Sequence, residues 1–249
     1  MKKTILLCGA LLALSATVAS AAGVNLAWLR CFGEGSGTQN RTFACASNTG
    51  SNLAVGSFIA PAGTQGVSGN EVVIDLQSQG TVLPAWWQLR GTGQCRGVGT
   101  PALSVNFVAN GADAVCIDEF GGGGAGGIGA YTVGYGGALN RARLTMAIAT
   151  AAPAPLDADV EYFAFNMIIT NTKSVGTGSC AGCSIPVCIV LNSIKLTQGV
   201  GVGDFTLSQP GDPSSNDIAW QGGAIGGPGC PAATPTKNAT WGSVKSLYR

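Results

Sequence analysis

Three stretches of this chain alternate apolar and polar side chains with a period of two, and that period admits one regular structure. In "NEVVIDLQ", Val72, Ile74 and Leu76 fall on one side and Val73, Asp75 and Gln77 on the other. In "RARLTMAIAT", Ala142, Leu144, Met146 and Ile148 oppose Arg141, Arg143 and Thr145, and "EYFAFNMIITNT" places Phe163, Phe165, Met167 and Ile169 on a single face. Successive side chains of a strand point to opposite sides, so each run predicts a strand with one face buried. Similar runs begin near Leu26, Thr42, Leu53, Ala85, Leu103, Ala114, Gly129, Pro186 and Asp204, and 39 glycines punctuate them. No sustained helical period appears before the last dozen residues, and there is no internal repeat. About 10 to 12 short strands between turn signals predict an all-β fold, a single antiparallel β-sandwich of jelly-roll type. With no linker before residue 222, the sandwich spans 22–221.

Residues 1–21 read as a secretory signal peptide. "MKK" is a basic start, "TILLCGALLALSATV" an apolar run too short to span a membrane, and Ala19-Ser20-Ala21 a small-residue cleavage site. Cys8 lies within the apolar run after Leu7, the wrong context for a lipid anchor. The expected location is therefore secreted or cell-surface, with no transmembrane segment in the mature chain.

That location decides the cysteines. Beyond Cys8 the chain holds Cys31, Cys45, Cys95, Cys116, Cys180, Cys183, Cys188 and Cys230. An even number in an oxidising compartment predicts disulfides. Spacing suggests that Cys31 pairs with Cys45 and Cys95 with Cys116, leaving the other four to pair among themselves. In "SCAGCSIPVCIVLNSI" a redox Cys-x-x-Cys lacks the following helix that lowers a thiol pKa, because Pro186 and a β-branched run come next. Thiolates suit zinc, but Cys230 stands far from Cys188 where a second close pair is needed. The cysteines read as staples, with no metal and no cofactor.

Removing Lys2 and Lys3 leaves 11 basic residues against 12 acidic, a balance without attraction for nucleic acid or an anionic membrane. Charged residues are 10% of the chain, against roughly 25% in ordinary soluble domains. A surface so weakly charged favours self-association or attachment. The chain has no histidine, which removes serine and cysteine triads and histidine-ligated metal enzymes. Carboxylate glycoside hydrolysis survives that test, since it needs only two acids across a cleft.

Other residues bear weaker signals. In "PAWWQLR", Trp86 and Trp87 in a strand point to opposite faces, one into the core and the other either packed against a disulfide or the sandwich edge or open to stack on a sugar ring. Asp118 with Glu119, and Asp157, Asp159 and Glu161 in "DADVE", are oxygen-rich loops of the kind that bind calcium, as are Asp212 and Asp217; none completes a calcium-loop pattern. "GGGGAGGIG" contains a G-x-G-x-x-G spacing, but no helix follows to cradle a phosphate. It predicts a flexible hairpin connection.

The C-terminus has two parts. Residues 222–239 are rich in Gly, Pro, Ala and Thr and read as a tether. In "TWGSVKSLYR", 240–249, Trp241, Val244, Leu247 and Tyr248 fall at helical spacing beside Lys245 and Arg249. This ending resembles a Thr-Trp-Gly-x-Val/Ile-Lys-x-x-Tyr-Arg tail of an uncharacterised family of exported bacterial proteins. "CFGEGSGTQNRTFAC", "PAWWQLR" and "CAGCSIPVCIVLNSI" are similar to that set as well. The resemblance implies a sorting or attachment tail and, as the family has no known activity, brings no catalytic or binding residue. The expectation is a structural or adhesive envelope-associated protein without catalysis. A carbohydrate-binding module using an exposed Trp is the alternative, and a carboxylate glycosidase comes third.

Overall fold

The computed structural model describes residues 22–34, 37–91, 93–97, 101–105, 116–211 and 215–222. They form two packed sheets. The five-stranded sheet contains β1 (Gly23–Trp28), β3 (Ser51–Ile59), β9 (Glu161–Thr170) and β5 (Ala102–Ser104) in that order, with β6 (Ile117–Asp118) also on β9. The seven-stranded sheet runs β2 (Asn40–Arg41), β12 (Asp217–Trp220), β10 (Val187–Gln198), β4 (Val67–Ser78), β8 (Arg141–Ala154) and β7 (Gly124–Val133), with β11 (Phe205–Leu207) also on β10. All pairs are antiparallel except β12 with β2 and β6 with β9. The expected disulfide-stapled antiparallel β-sandwich is the observed architecture.

The alternation holds in the middle of the larger sheet. Val72, Ile74 and Leu76 are buried, and their register partners across β8 are Met146, Leu144 and Ala142, also buried. Opposite them in the smaller sheet, Ala54 and Phe58 of β3 and Phe165, Met167 and Ile169 of β9 complete one core.

β9 departs from the expected pattern at one point. Ser57 pairs with Phe163 but Gly56 pairs with Phe165, so β9 carries a bulge at Ala164. An extra residue reverses the facing of everything before it. Phe163 therefore leaves the face of Phe165 and joins a small second cluster with Cys31, Leu53, Val55 and Cys116. The Phe165 ring lies where a side chain on Gly56 would stand, so glycine is required there.

The disulfide connectivity overturns the local pairing. Cys31 is joined to Cys116, Cys45 to Cys183 and Cys95 to Cys180, and Cys188 is disulfide-bonded too. The reason lies in the sheets. Cys31 follows β1 in the smaller sheet, whereas Cys45 follows β2, which pairs in the larger one. Cys116 precedes β6 and so returns to the smaller sheet beside Cys31. These are long-range staples, spanning 85, 138 and 85 residues.

The glycine tract is also more ordered than expected. Gly121 and Gly122 turn the chain at φ 53° and 85°, but Gly124 to Ile128 are half of β7, held in register by β8, with a bulge at Gly129. A ready ladder partner overrides the low strand propensity of glycine.

Candidate functional site

Residues 85–87 form a 3-10 turn rather than a strand. Pro84 fixes the entry, Trp87 N–H donates to Pro84 O at 2.8 Å, and Trp86 N–H to Ala181 O at 2.9 Å. Side chains about 120° apart around such a turn do not take opposite faces. Trp86 and Trp87 are both fully buried, their rings 5.1 Å and 5.3 Å from Trp220. Trp28 and Phe43 close the same cluster from the other side, with Phe43 stacked 4.3 Å from Trp220. Neither ring is the open sugar platform that opposite strand faces would allow; both serve the core.

Immediately after this turn the chain builds a cleft. Arg96 N–H donates to Gln88 O at 3.4 Å and Arg90 N–H to Arg96 O at 3.3 Å, closing residues 88–97 into a loop. Arg90 at φ 59° and Gly93 at φ 78° supply the left-handed backbone for the turn. The Cys95–Cys180 bridge ties this loop to the β9–β10 connection. There Cys180 N–H donates to Lys173 O at 2.8 Å, and Lys173 Nζ to Cys95 O at 2.7 Å. Between the two segments is a space of about 570 Å³ lined by Arg90, Gln94, Arg96, Thr172, Lys173 and three glycines.

Three cations meet in this lining and, among the described residues, no carboxylate does. Arg96 is only 2% exposed. Its guanidinium lies 3.7 Å from the Trp86 ring centroid, Nη1 donates to Trp86 O at 3.2 Å, Nη2 donates to Thr170 O, and the buried Nε–H has no partner among the described residues. Burial lowers its pKa to about 10, still far above neutrality, so the group stays charged. Arg90 and Lys173 are exposed at the rim, and Arg90 Nη1 donates to Pro101 O at 3.3 Å. Among the described residues all three cations spend their hydrogen bonds on neutral oxygens. This cluster has no sequence signature, because Arg90, Arg96 and Lys173 come together only through the disulfide.

The candidate calcium acids are dispersed. Asp118 accepts from its own turn, at Phe120 N–H (3.0 Å) and Gly122 N–H (2.8 Å). Glu119 is buried, bonded to Asn70, and desolvation raises its pKa well above the ordinary carboxyl value. Its Oε2 and the Asn70 Oδ1 lack partners, an arrangement that suits a neutral carboxyl able to donate. Asp157 and Asp159 are exposed on the turn before β9. Glu161 accepts from Asn25 Nδ2 (2.9 Å), Ser57 Oγ (2.6 Å) and Gly33 N–H (2.8 Å), pinning the segment after β1. Asp217 is buried in β12. Among the described residues, no three His, Cys, Asp or Glu side chains form a group that could hold a metal ion. Asp212, Cys230, residues 1–21 and 223–239, and Trp241, Val244, Lys245, Leu247, Tyr248 and Arg249 lie outside the described residues.

Among the described residues β7, at the end of the larger sheet, pairs on one side only, with β8. Its ten residues, "GAGGIGAYTV", carry no charge and no proline. Gly127 and Ala130 are exposed, and nothing lies within 4 Å of a Cβ built on Gly127. Among the described residues, no helix is long and apolar enough to cross a membrane.

The sheets, their shared core and the bridges define the class, a disulfide-stapled antiparallel β-sandwich. No family model and no curated protein matches the chain. Among solved structures it is similar to a cohesin module from a Clostridium perfringens family 33 glycoside hydrolase. The two share 10% identity at a TM-score of 0.36, over 80% of this chain and 98% of that one. A score of that size carries no argument, so function rests on the surfaces themselves.

Proposed function

We propose that this chain is an exported, envelope-associated structural or adhesive β-sandwich that works by association through its surface rather than by catalysis. The supporting observation is the outer edge of β7. Folded proteins guard exposed edges with lysine, proline, bulges or a covering element, because unpaired N–H and C=O groups invite a further strand. β7 presents ten uncharged residues without lysine or proline; its one such device is the bulge at Gly129, and among the described residues no strand pairs with its outer side. The partner is a second copy of the chain. Two identical edges pair antiparallel about a two-fold axis without any complementary partner. In this reading the leader 1–21 is removed on export, and "TWGSVKSLYR" on its tether serves attachment. A glycan-stacking module loses its platform with Trp86 and Trp87 both in the core.

Sedimentation equilibrium of oxidised residues 22–249 tests the proposal, with Gly127→Lys/Ala130→Lys as the comparison. Centred antiparallel pairing brings these two positions opposite each other, so four lysines would repel across the seam. A parent that self-associates and a variant that remains monomeric with the same unfolding midpoint are expected. A parent monomeric at about 100 μM, a concentration at which micromolar contacts are saturated, overturns the edge-pairing reading.

A further inference from the structure

The cleft beside the Cys95–Cys180 bridge has a chemistry that neither the core nor the edge strand explains. Three of the chain's 13 basic residues converge there, in a protein whose charge is otherwise sparse. Arg96 forms the floor, buried over Trp86 and without a carboxylate partner among the described residues. Arg90 and Lys173 form the rim from opposite segments, each held in a left-handed backbone conformation. That conformation disfavours a long side chain at a position where glycine or asparagine is the easy choice. Leu29, Asp159 and Gln221 share that conformation elsewhere, so the mark of this place is that its two cations face one space with Arg96 beneath them. The walls between them are glycine backbone, which leaves room for a guest.

We propose that this cleft binds a small oxyanion, a carboxylate or a sulfate, either free or carried as the acidic group of a glycan. Arg90 and Lys173 contact the anion directly, with Gln94 and Thr172 as neutral donors. Arg96 lies beneath and contributes the positive charge that its neighbours leave uncompensated. Arginine sets two parallel donors against two oxygens of a planar carboxylate or a tetrahedral sulfate, and lysine adds a point charge, so the pair suits both groups. The cleft excludes divalent cations for the same reason. This inference is independent of the pairing of β7.

Isothermal titration of oxidised residues 22–249 with sodium sulfate, sodium glucuronate, an oligouronate and a neutral oligosaccharide provides the test. The comparison protein is Arg90→Asn/Lys173→Asn, because asparagine tolerates the left-handed backbone while removing both charges. We expect the acidic probes to bind the parent, at least tenfold weaker binding by the variant, and no binding of the neutral sugar. In the parent, backbone amide shifts at Gly91, Gly93 and Gly97 should report the bound anion. Oligouronate binding far tighter than glucuronate assigns the glycan source, and equal affinities assign a free anion. Silence toward every acidic probe, or equal affinities of parent and variant, overturns the proposal. If the variant unfolds, the amide shifts of the parent decide: shifts confined to other loops overturn it as well.

Discussion

Ile74 and Asp75 are neighbours in β4 that face opposite sides of the larger sheet. Ile74 is fully buried against Leu144 and Leu191 in register, while Asp75 accepts both Nε and Nη2 of Arg143 at 2.7 Å on the outer face. The Arg143 guanidinium also lies 3.7 Å from the Tyr135 ring centroid. Ile74→Ala should therefore cost about 2–5 kcal/mol, the range for truncating a packed core residue. Asp75→Ala removes a partly exposed ion pair and should cost about 1 kcal/mol or less. Urea midpoints measure both. Equal midpoints would refute the facing.

Glu119 should make the sandwich less stable as pH rises. Its folded pKa is raised above the unfolded value, first by desolvation, while the Asn70 hydrogen bond opposes that rise and the Asp118 charge adds to it. The folded state thus holds the proton more tightly than the unfolded chain. This contribution is complete below the ordinary carboxyl value of about 4.5 and is lost as pH climbs through the raised one. Glu119→Gln should flatten that decline and stabilise the protein at pH 7 by about 1–3 kcal/mol, the cost of leaving a buried polar group unsatisfied. Thermal melts from pH 4 to pH 8 would show it, and parallel curves for parent and variant would contradict it.

Peptide mapping of the unreduced protein should recover Cys31 with Cys116, Cys45 with Cys183 and Cys95 with Cys180, with Cys188 unreactive to alkylation. Replacing Cys95 and Cys180 together by alanine should cost about 2–5 kcal/mol, as for native bridges in exported domains. The same change should release Lys173 from Cys95 O and open the cleft. A peptide joining Cys31 to Cys45 would restore the local pairing that spacing suggests.

Deleting 240–249 should leave the unfolding midpoint unchanged and alter the cellular fraction in which the protein is found. A short segment with a few large apolar residues is not stable as an isolated helix, so its use depends on a partner surface. An unchanged fraction would make the segment an ordinary chain end.

The alternation in "NEVVIDLQ" and "RARLTMAIAT" by itself determined the sandwich, because period-two burial is a local property of each strand and survives any arrangement of its neighbours. The even number of cysteines beyond residue 21 likewise called for staples. Which cysteines meet, where the tryptophans point and where cations gather are different in kind. Cys31 meets Cys116 because of which sheet each flanking strand joins, and one bulge at Ala164 sends Phe163 away from Phe165. Trp86 and Trp87 share the core because Pro84 starts a turn and Trp220, far along the chain, supplies the hub. Arg90, Arg96 and Lys173 surround one cleft only because the Cys95–Cys180 bridge joins two loops. Periodicity records which face of a strand is wet; it holds no record of which strands become neighbours, and contacts across that distance are decided only when the sheets close on each other.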